Sequence, residues 1–252
     1  MSGSKNKLPE WELVLSSAAR LQRLIPEAVL VGGTASALHA EHRFSRDADH
    51  VLTDLRSRFD EVLAQLESVA GWQTARINRP VQILRSLDGI ETGIRQLIRQ
   101  APLETTEVRI GSETITVPTA NEILRVKGVL ILKRNATRDY LDFAALSEHL
   151  GEAASAEALA TLDALYPQVN GQSALQQLHV QLASAQPYDL EEVNLAEYKM
   201  LTTRYHDWAV VTRACARMSA LIFQQLCRPS GASEDPDPER LKPRTEQSPK
   251  QG

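Results

Sequence analysis

Between Val29 and Leu52 the chain reads VLVGGTASALHAEHRFSRDADHVL, and few folds accommodate that order of pieces. An apolar, strand-like run ends in Gly32-Gly33-Thr34, a helix-length segment follows, and Asp47-Ala48-Asp49 opens a second apolar run. Glycines after a strand let the backbone approach a bulky anion. A helix starting there offers unpaired N–H groups at the positive end of its dipole. Asp47 and Asp49 lie two apart at the start of the second run, so as strand residues they project from one face. Paired hard carboxylates suit Mg2+, which takes oxygen ligands and bridges protein to substrate phosphates. The segment predicts a metal-dependent enzyme acting on a nucleotide.

These residues resemble the nucleotidyltransferase superfamily, the polymerase-β-like fold whose signature is G-[GS]-[ST] followed by D-x-D on the next strand. More narrowly, Ser45-Arg46-Asp47-Ala48-Asp49 resembles the S-x-D-x-D of AbiEii/AbiGii-type toxins, the enzymatic half of AbiE-like toxin–antitoxin and phage-defence pairs. A second block is similar to that family's E-x-x-x-x-K … R-x-x-x-[KR]-D-x-x-D: Glu122 through Lys127, then Arg134 through Asp142. The two blocks stand in the family's order, and the resemblance spans Val29 to Leu150. It implies an α+β chain: a nucleotidyltransferase fold with a mixed twisted sheet flanked by helices, followed by a C-terminal helical region.

The same resemblance implies a set of roles. Asp47 and Asp49 would hold Mg2+ (or Mn2+), and Glu91 would complete the metal set if it is not simply a solvent-facing strand residue. Gly32, Gly33 and Thr34 would cradle the β and γ phosphates of an NTP through backbone N–H groups and the threonine hydroxyl, with Ser45, Lys127 and Arg134 also on the nucleotide. Asp139 would join Asp47, Asp49 and Lys127 in catalysis, either near the base that activates the acceptor or by orienting Lys127. Lys127, Arg134 and Arg138 follow at intervals of seven and four, which aligns them if one helix continues through Asn135-Ala136-Thr137. Arg138 and Asp142, four apart, could form a structural ion pair.

Composition narrows the alternatives. The 252 residues suffice for one large domain or two small ones. At 42% hydrophobic and 24% charged, the chain is ordinary soluble globular material. No apolar run reaches transmembrane length and MSGSKNKLPEWE carries no signal-peptide core, which predicts a cytoplasmic location. Cys215 and Cys227 lack metal-ligand spacing and read as reduced and structural. A net charge of −4 argues against a generic nucleic-acid coat, although Arg125, Lys127, Lys133, Arg134 and Arg138 make a local basic run. His39, His42 and His50 flank the aspartates without a close Cys or His set, so zinc is not expected. Tyr198, Tyr205 and Trp208 are expected in the core rather than as a base-stacking platform.

Along the chain, helical spacing predicts a helix over 9–25, a short strand at Ala28–Val31, a helix at 34–42 and another at 56–70. From Trp72 to Val117 short alternating runs separated by Asn, Pro and Gly predict sheet with a hairpin. Thr119 and Glu122 are spaced as a capping box, and beyond them nearly everything to Cys227 reads as helix, broken at Pro167–Gly171 and at Pro187. The expected division is a nucleotidyltransferase core over 1–118, a helical domain over 119–228 that completes the active site, and a disordered tail over 229–252. The expected activity is transfer of a nucleoside monophosphate from NTP to an acceptor such as the tRNA 3′ end, with a cognate antitoxin as partner. Modification of a small molecule or protein, and a non-catalytic nucleotide- or partner-binding role, are the competing readings.

Overall fold

Helix α1 (Glu10–Leu24) forms because Val14, Leu15, Ala18 and Leu21 recur at helical spacing, and all four are buried. After Pro26 comes β1 (Val29–Leu30), then a turn in which Gly32 takes φ +73° and starts α2 (Gly32–Ala40). A residue without Cβ enters that left-handed region at little cost. The helix thus begins on the glycines themselves, two residues earlier than spacing predicts, and its N-cap Val31 supplies no side-chain acceptor. In β2 (Ala48–Leu52) burial alternates: Ala48, His50 and Leu52 face inward, while Asp49 and Val51 stand on the other face.

Helix α3 (Phe59–Glu67) leads into β3 (Trp72–Asn78), β4 (Gln82–Leu87) and β5 (Ile90–Gln96). The five strands form one mixed sheet in the order β1-β2-β5-β4-β3, in which only the β2–β5 pair is parallel. That pairing sets Asp49 opposite Gly93. A separate hairpin, β6 (Thr105–Ile110) with β7 (Glu113–Pro118), packs Ile115 and Val117 against α1. Behind the sheet, Phe59, Val62, Leu63 and Leu66 of α3 close a core with Ile83, Leu87 and Ile94.

The remainder is helical: α4 (Ala120–Arg134), α5 (Thr137–Leu150), α6 (Glu152–Leu159), α7 (Leu162–Leu165), α8 (Ala174–Ala183) and α9 (Trp208–Leu226). Its core centres on Tyr140, Phe143 and Leu146 and includes Ala35 of α2, so the helix that starts at the glycine turn is seated on α4 and α5. The chain is an α+β arrangement, a mixed sheet followed by helices. This computed structural model describes residues 10–169 and 171–227; the tail expected at 229–252 lies outside the described residues.

The structure answers one open point and corrects two expectations. No single helix runs through 134–138: the chain is interrupted at Asn135-Ala136, where Asn135 takes φ +45°, and α5 starts afresh at Thr137. Only half of the capping box forms: Thr119 Oγ1 accepts from the Glu122 N–H at 3.2 Å, but the buried Glu122 carboxylate binds Arg99 and Arg125 instead of the Thr119 N–H. From 184 to 207 the chain is not helix with one break but irregular, apart from 3-10 turns at Leu195–Glu197 and Thr203–His206.

Candidate active site

The aspartates line a two-lobed cleft between the sheet and the helical region. The larger lobe, about 610 Å³, has a wall of Val31, Val51, Leu84, Leu97, Ile98, Leu103, Val126, Val129 and Leu130, with Tyr166 at its end and Glu91, Arg76 and Arg95 among its polar groups. The smaller, about 270 Å³, is lined by Gly32, Gly33, Ser45, Tyr198 and the cations Arg43, Arg46, Lys127, Arg134, Arg138 and Lys199. Gly32, Asp47, Asp49, Arg134 and Arg138 border both lobes. The larger lobe is in the range of small-ligand sites.

Asp47 and Asp49 are half-buried on one face of the β2 segment, as their spacing predicts. Burial and then the charges of Asp49 and Glu91 raise the Asp47 carboxyl above its ordinary pKa, against the opposing pull of Arg138 and Arg43. Gly93, opposite Asp49, has no side chain; a Cβ there would meet Leu84 Cδ2 at 2.8 Å and Asp49 Oδ1 at 3.2 Å. The glycine keeps room for the carboxylate, which stands 3.9 Å from Arg95 Nε. Glu91 is exposed on the adjacent strand. Among the described residues no group of three or more His, Cys, Asp or Glu side chains could hold a metal ion. Asp47 and Asp49 are therefore a pair, with Glu91 adding charge beside them.

Behind the smaller lobe lies a buried ionic cluster. Asp142, fully buried, receives Arg43 through Nε at 2.7 Å and Nη2 at 3.0 Å, His42 Nε2 at 2.8 Å and Lys127 Nζ at 2.6 Å. Burial acts to raise its pKa, but Arg43, Lys127 and His42 hold the carboxyl well below the usual carboxylate range. Asp139, also fully buried, pairs with Lys127 Nζ at 3.3 Å and with Arg134, whose Nη2 lies at 2.7 Å. Two carboxylates face three basic side chains here, Arg43, Lys127 and Arg134, a formal excess of one basic group. Such a wall suits a polyanion.

Several expected roles change in this geometry. Thr34 is buried and its hydroxyl donates to the Asp47 carbonyl, so it ties α2 to the aspartate segment rather than presenting a donor to a ligand. Asp139 does not line either lobe; its contacts leave it orienting Lys127 and Arg134, not serving as a base in the cleft. Asp142 pairs with Arg43, Lys127 and His42, not with Arg138. The basic run divides: Lys127, Arg134 and Arg138 reach the cleft, while Arg125 binds Glu104, Glu122 and the Ala158 carbonyl. His39 binds the Pro118 carbonyl at 2.7 Å, and His50, pushed down to about 4 by burial, faces away from the aspartates. Tyr205 is buried in the core as expected and Trp208 packs against it, but Tyr198 lines the smaller lobe with the Arg43 guanidinium over its ring at 5.6 Å.

Sequence reasoning missed Arg43, Tyr198 and Lys199. Backbone bonds from the Phe44 N–H to the Lys199 carbonyl and from the Thr202 N–H to the His42 carbonyl, each 2.8 Å, bring 198–199 beside 43–46. No local pattern announces a pairing across that distance. The one signal was Gly33, where a Cβ would lie 2.5 Å from Arg43 Nη2 and 3.0 Å from Ser45 Oγ.

The mixed sheet, the glycine turn and the aspartate pair define the nucleotidyltransferase class. Two Helicobacter pylori crystal structures share the fold at 17% identity: JHP933 (TM-score 0.51, 89% of this chain and 95% of that one) and a protein described as a candidate nucleotidyltransferase (TM-score 0.54, 89% and 97%). The family model described as "Nucleotidyl transferase AbiEii toxin, Type IV TA system" matches residues 14–218, so the chain belongs to that family. It is also 28% identical over 236 residues to the heme uptake protein MmpL11 of Mycobacterium tuberculosis. It is 26% identical over 215 residues to the mycolic acid-containing lipids exporter MmpL11 of Mycolicibacterium smegmatis. These matches take in 84% of this chain and span only 23% and 21% of those relatives. Among the described residues no helix is long and apolar enough to cross a membrane.

Proposed function

We propose that the cleft binds an NTP with Mg2+ (or Mn2+) and transfers its nucleoside monophosphate to an acceptor hydroxyl, releasing pyrophosphate, as the toxin of a cytoplasmic toxin–antitoxin pair. The observation that carries this reading is the junction of opposite characters: a carboxylate pair on one wall, and an uncapped helix start with a cationic cluster on the other. Asp47, whose proton affinity is raised by burial and then by the neighbouring Asp49 and Glu91 charges, belongs to a donor set that a hard cation relieves. Asp47 and Asp49 would hold the ion, with Glu91 adding negative charge beside them and phosphate oxygens and water supplying the remaining ligands. When bound, the metal neutralises charge developing on the transferred phosphoryl group.

The chain's own residues do the rest. The N–H groups of Gly32 and Gly33, with Ser45, receive phosphate oxygens at the positive end of α2. Lys127 and Arg134, held by Asp139 and Asp142, direct their charge at the polyphosphate without having to be ordered at the moment of reaction. An RNA 3′ end, such as that of tRNA, is the leading acceptor, since a terminal nucleoside fits the apolar wall and the arginines at its rim can meet the flanking phosphate. That wall also favours a second acceptor class, a small molecule such as an antibiotic. Family membership is what supports an antitoxin partner. Incubation with each α-labelled NTP and, in turn, tRNA, protein and aminoglycosides tests the reading. Label on RNA supports the leading acceptor, label on an aminoglycoside or protein replaces it, and NTP binding without label on any acceptor indicates a non-catalytic member.

A further inference from the structure

We propose that Arg138 is a catalytic residue of the transfer, contacting the phosphoryl group at the junction of the two lobes; this rests on the nucleotidyl-transfer reading above. Of the six cations lining the smaller lobe, five face carboxylates: Arg43 with Asp142, Lys127 with Asp139 and Asp142, Arg134 with Asp139, and Lys199 and Arg46 with Glu10. Among the described residues Arg138 forms no salt bridge, and the carboxylate its charge acts on is Asp47 of the site itself. Its natural helical partner, Asp142, one turn further along α5, is buried and saturated by His42, Arg43 and Lys127.

Position strengthens the case. Arg138 lies in the first turn of α5, is exposed, and borders both lobes, as the two aspartates do. Its charge acts on Asp47 on one side and on Tyr198 on the other. A guanidinium is a planar fork of donors that matches two phosphoryl oxygens at once. In the transfer, the acceptor hydroxyl oxygen bonds to the α-phosphorus while the bond from that phosphorus to the α–β bridging oxygen breaks. The electron pair leaves on pyrophosphate and the hydroxyl proton passes to solvent. Charge grows on the phosphoryl and bridging oxygens during this step, and Arg138 is the cation at the junction that no salt bridge among the described residues holds back.

The test compares Arg138→Ala and Arg138→Lys with Lys133→Ala, an exposed lysine of the same basic run that lines neither lobe. Arg138 makes no described side-chain hydrogen bond, so all three variants should keep the wild-type melting temperature. Arg138→Ala should lower kcat/KM by about 100-fold or more, the loss seen when one donor to a developing anion is removed. Arg138→Lys should recover part of it as a point charge, and Lys133→Ala should change nothing. With non-transferable α,β-methylene NTPs and Mg2+, Arg138→Ala should weaken binding about tenfold. A folded Arg138→Ala variant with kcat/KM within about threefold of wild type overturns the assignment. So does unchanged analogue affinity if no acceptor has been found. A wild-type protein that neither transfers label nor binds any analogue overturns the transfer reading itself, and this proposal with it.

Discussion

Asp142 carries more of the site than its place outside the cleft suggests. One fully buried carboxylate holds Arg43, Lys127 and His42 together. Asp142→Asn keeps the volume but leaves buried cations without their counter-ion, at a cost of about 3–5 kcal/mol in unfolding free energy. Because the folded carboxyl titrates below its unfolded value of about 3.9, its contribution is fully present above that pH. It is lost as pH falls through the folded value. Melting temperatures of wild type and Asp142→Asn should therefore differ by a constant margin from pH 7 to about 4 and draw together only as pH falls below that; a margin that stays constant down to about pH 2 would mean that Asp142 is not the titrating group. Lys127→Ala should reduce kcat/KM by the equivalent of about 3 kcal/mol, and unaltered turnover would remove the lysine from the site. Asp47, Asp49 and Lys127 were legible in the sequence because each sits in a short motif of fixed spacing. Arg43 and Tyr198 were not, because their roles depend on pairing between segments about 155 positions apart in the chain.

At the scale of elements, the register of two strands decides whether the aspartates have room. Ala48 pairs with Thr92 and Asp49 with Gly93, and the missing side chain at Gly93 leaves space under the Asp49 carboxylate. Gly93→Val should displace Asp49 and abolish transfer while lowering the melting temperature by only a few degrees, an overpacking cost of about 1–3 kcal/mol. Full activity in a folded Gly93→Val variant would show that Asp49 need not occupy that position. The alternating runs between 72 and 117 revealed the strands, since period-two patterning survives without tertiary context. The two helices around Asn135 were harder to separate, because a left-handed residue there is fixed by contacts from afar: Asn135 Nδ2 reaches the Gln186 carbonyl at 2.9 Å and its Oδ1 accepts from Gln181 Nε2 at 2.8 Å.

Over the whole molecule, α2 connects the sheet to the helical region: its first turn borders the cleft and Ala35 sits in the helical core. A ligand bridging the lobes contacts both parts, so it should stabilise the chain as one unit. With an NTP analogue and Mg2+ at about 100 times Kd, unfolding should become about 2.7 kcal/mol harder, and the gain should vanish in Asp47→Asn. Equal stabilisation of both proteins would place the nucleotide elsewhere. The most direct measurement is transfer of label from α-labelled NTP across a Mg2+ titration, for wild type and for folded Asp49→Asn. The account predicts metal-dependent transfer by wild type and none by Asp49→Asn at any Mg2+ concentration. Transfer at the wild-type rate by Asp49→Asn, or by wild type with all divalent cations chelated, would contradict it.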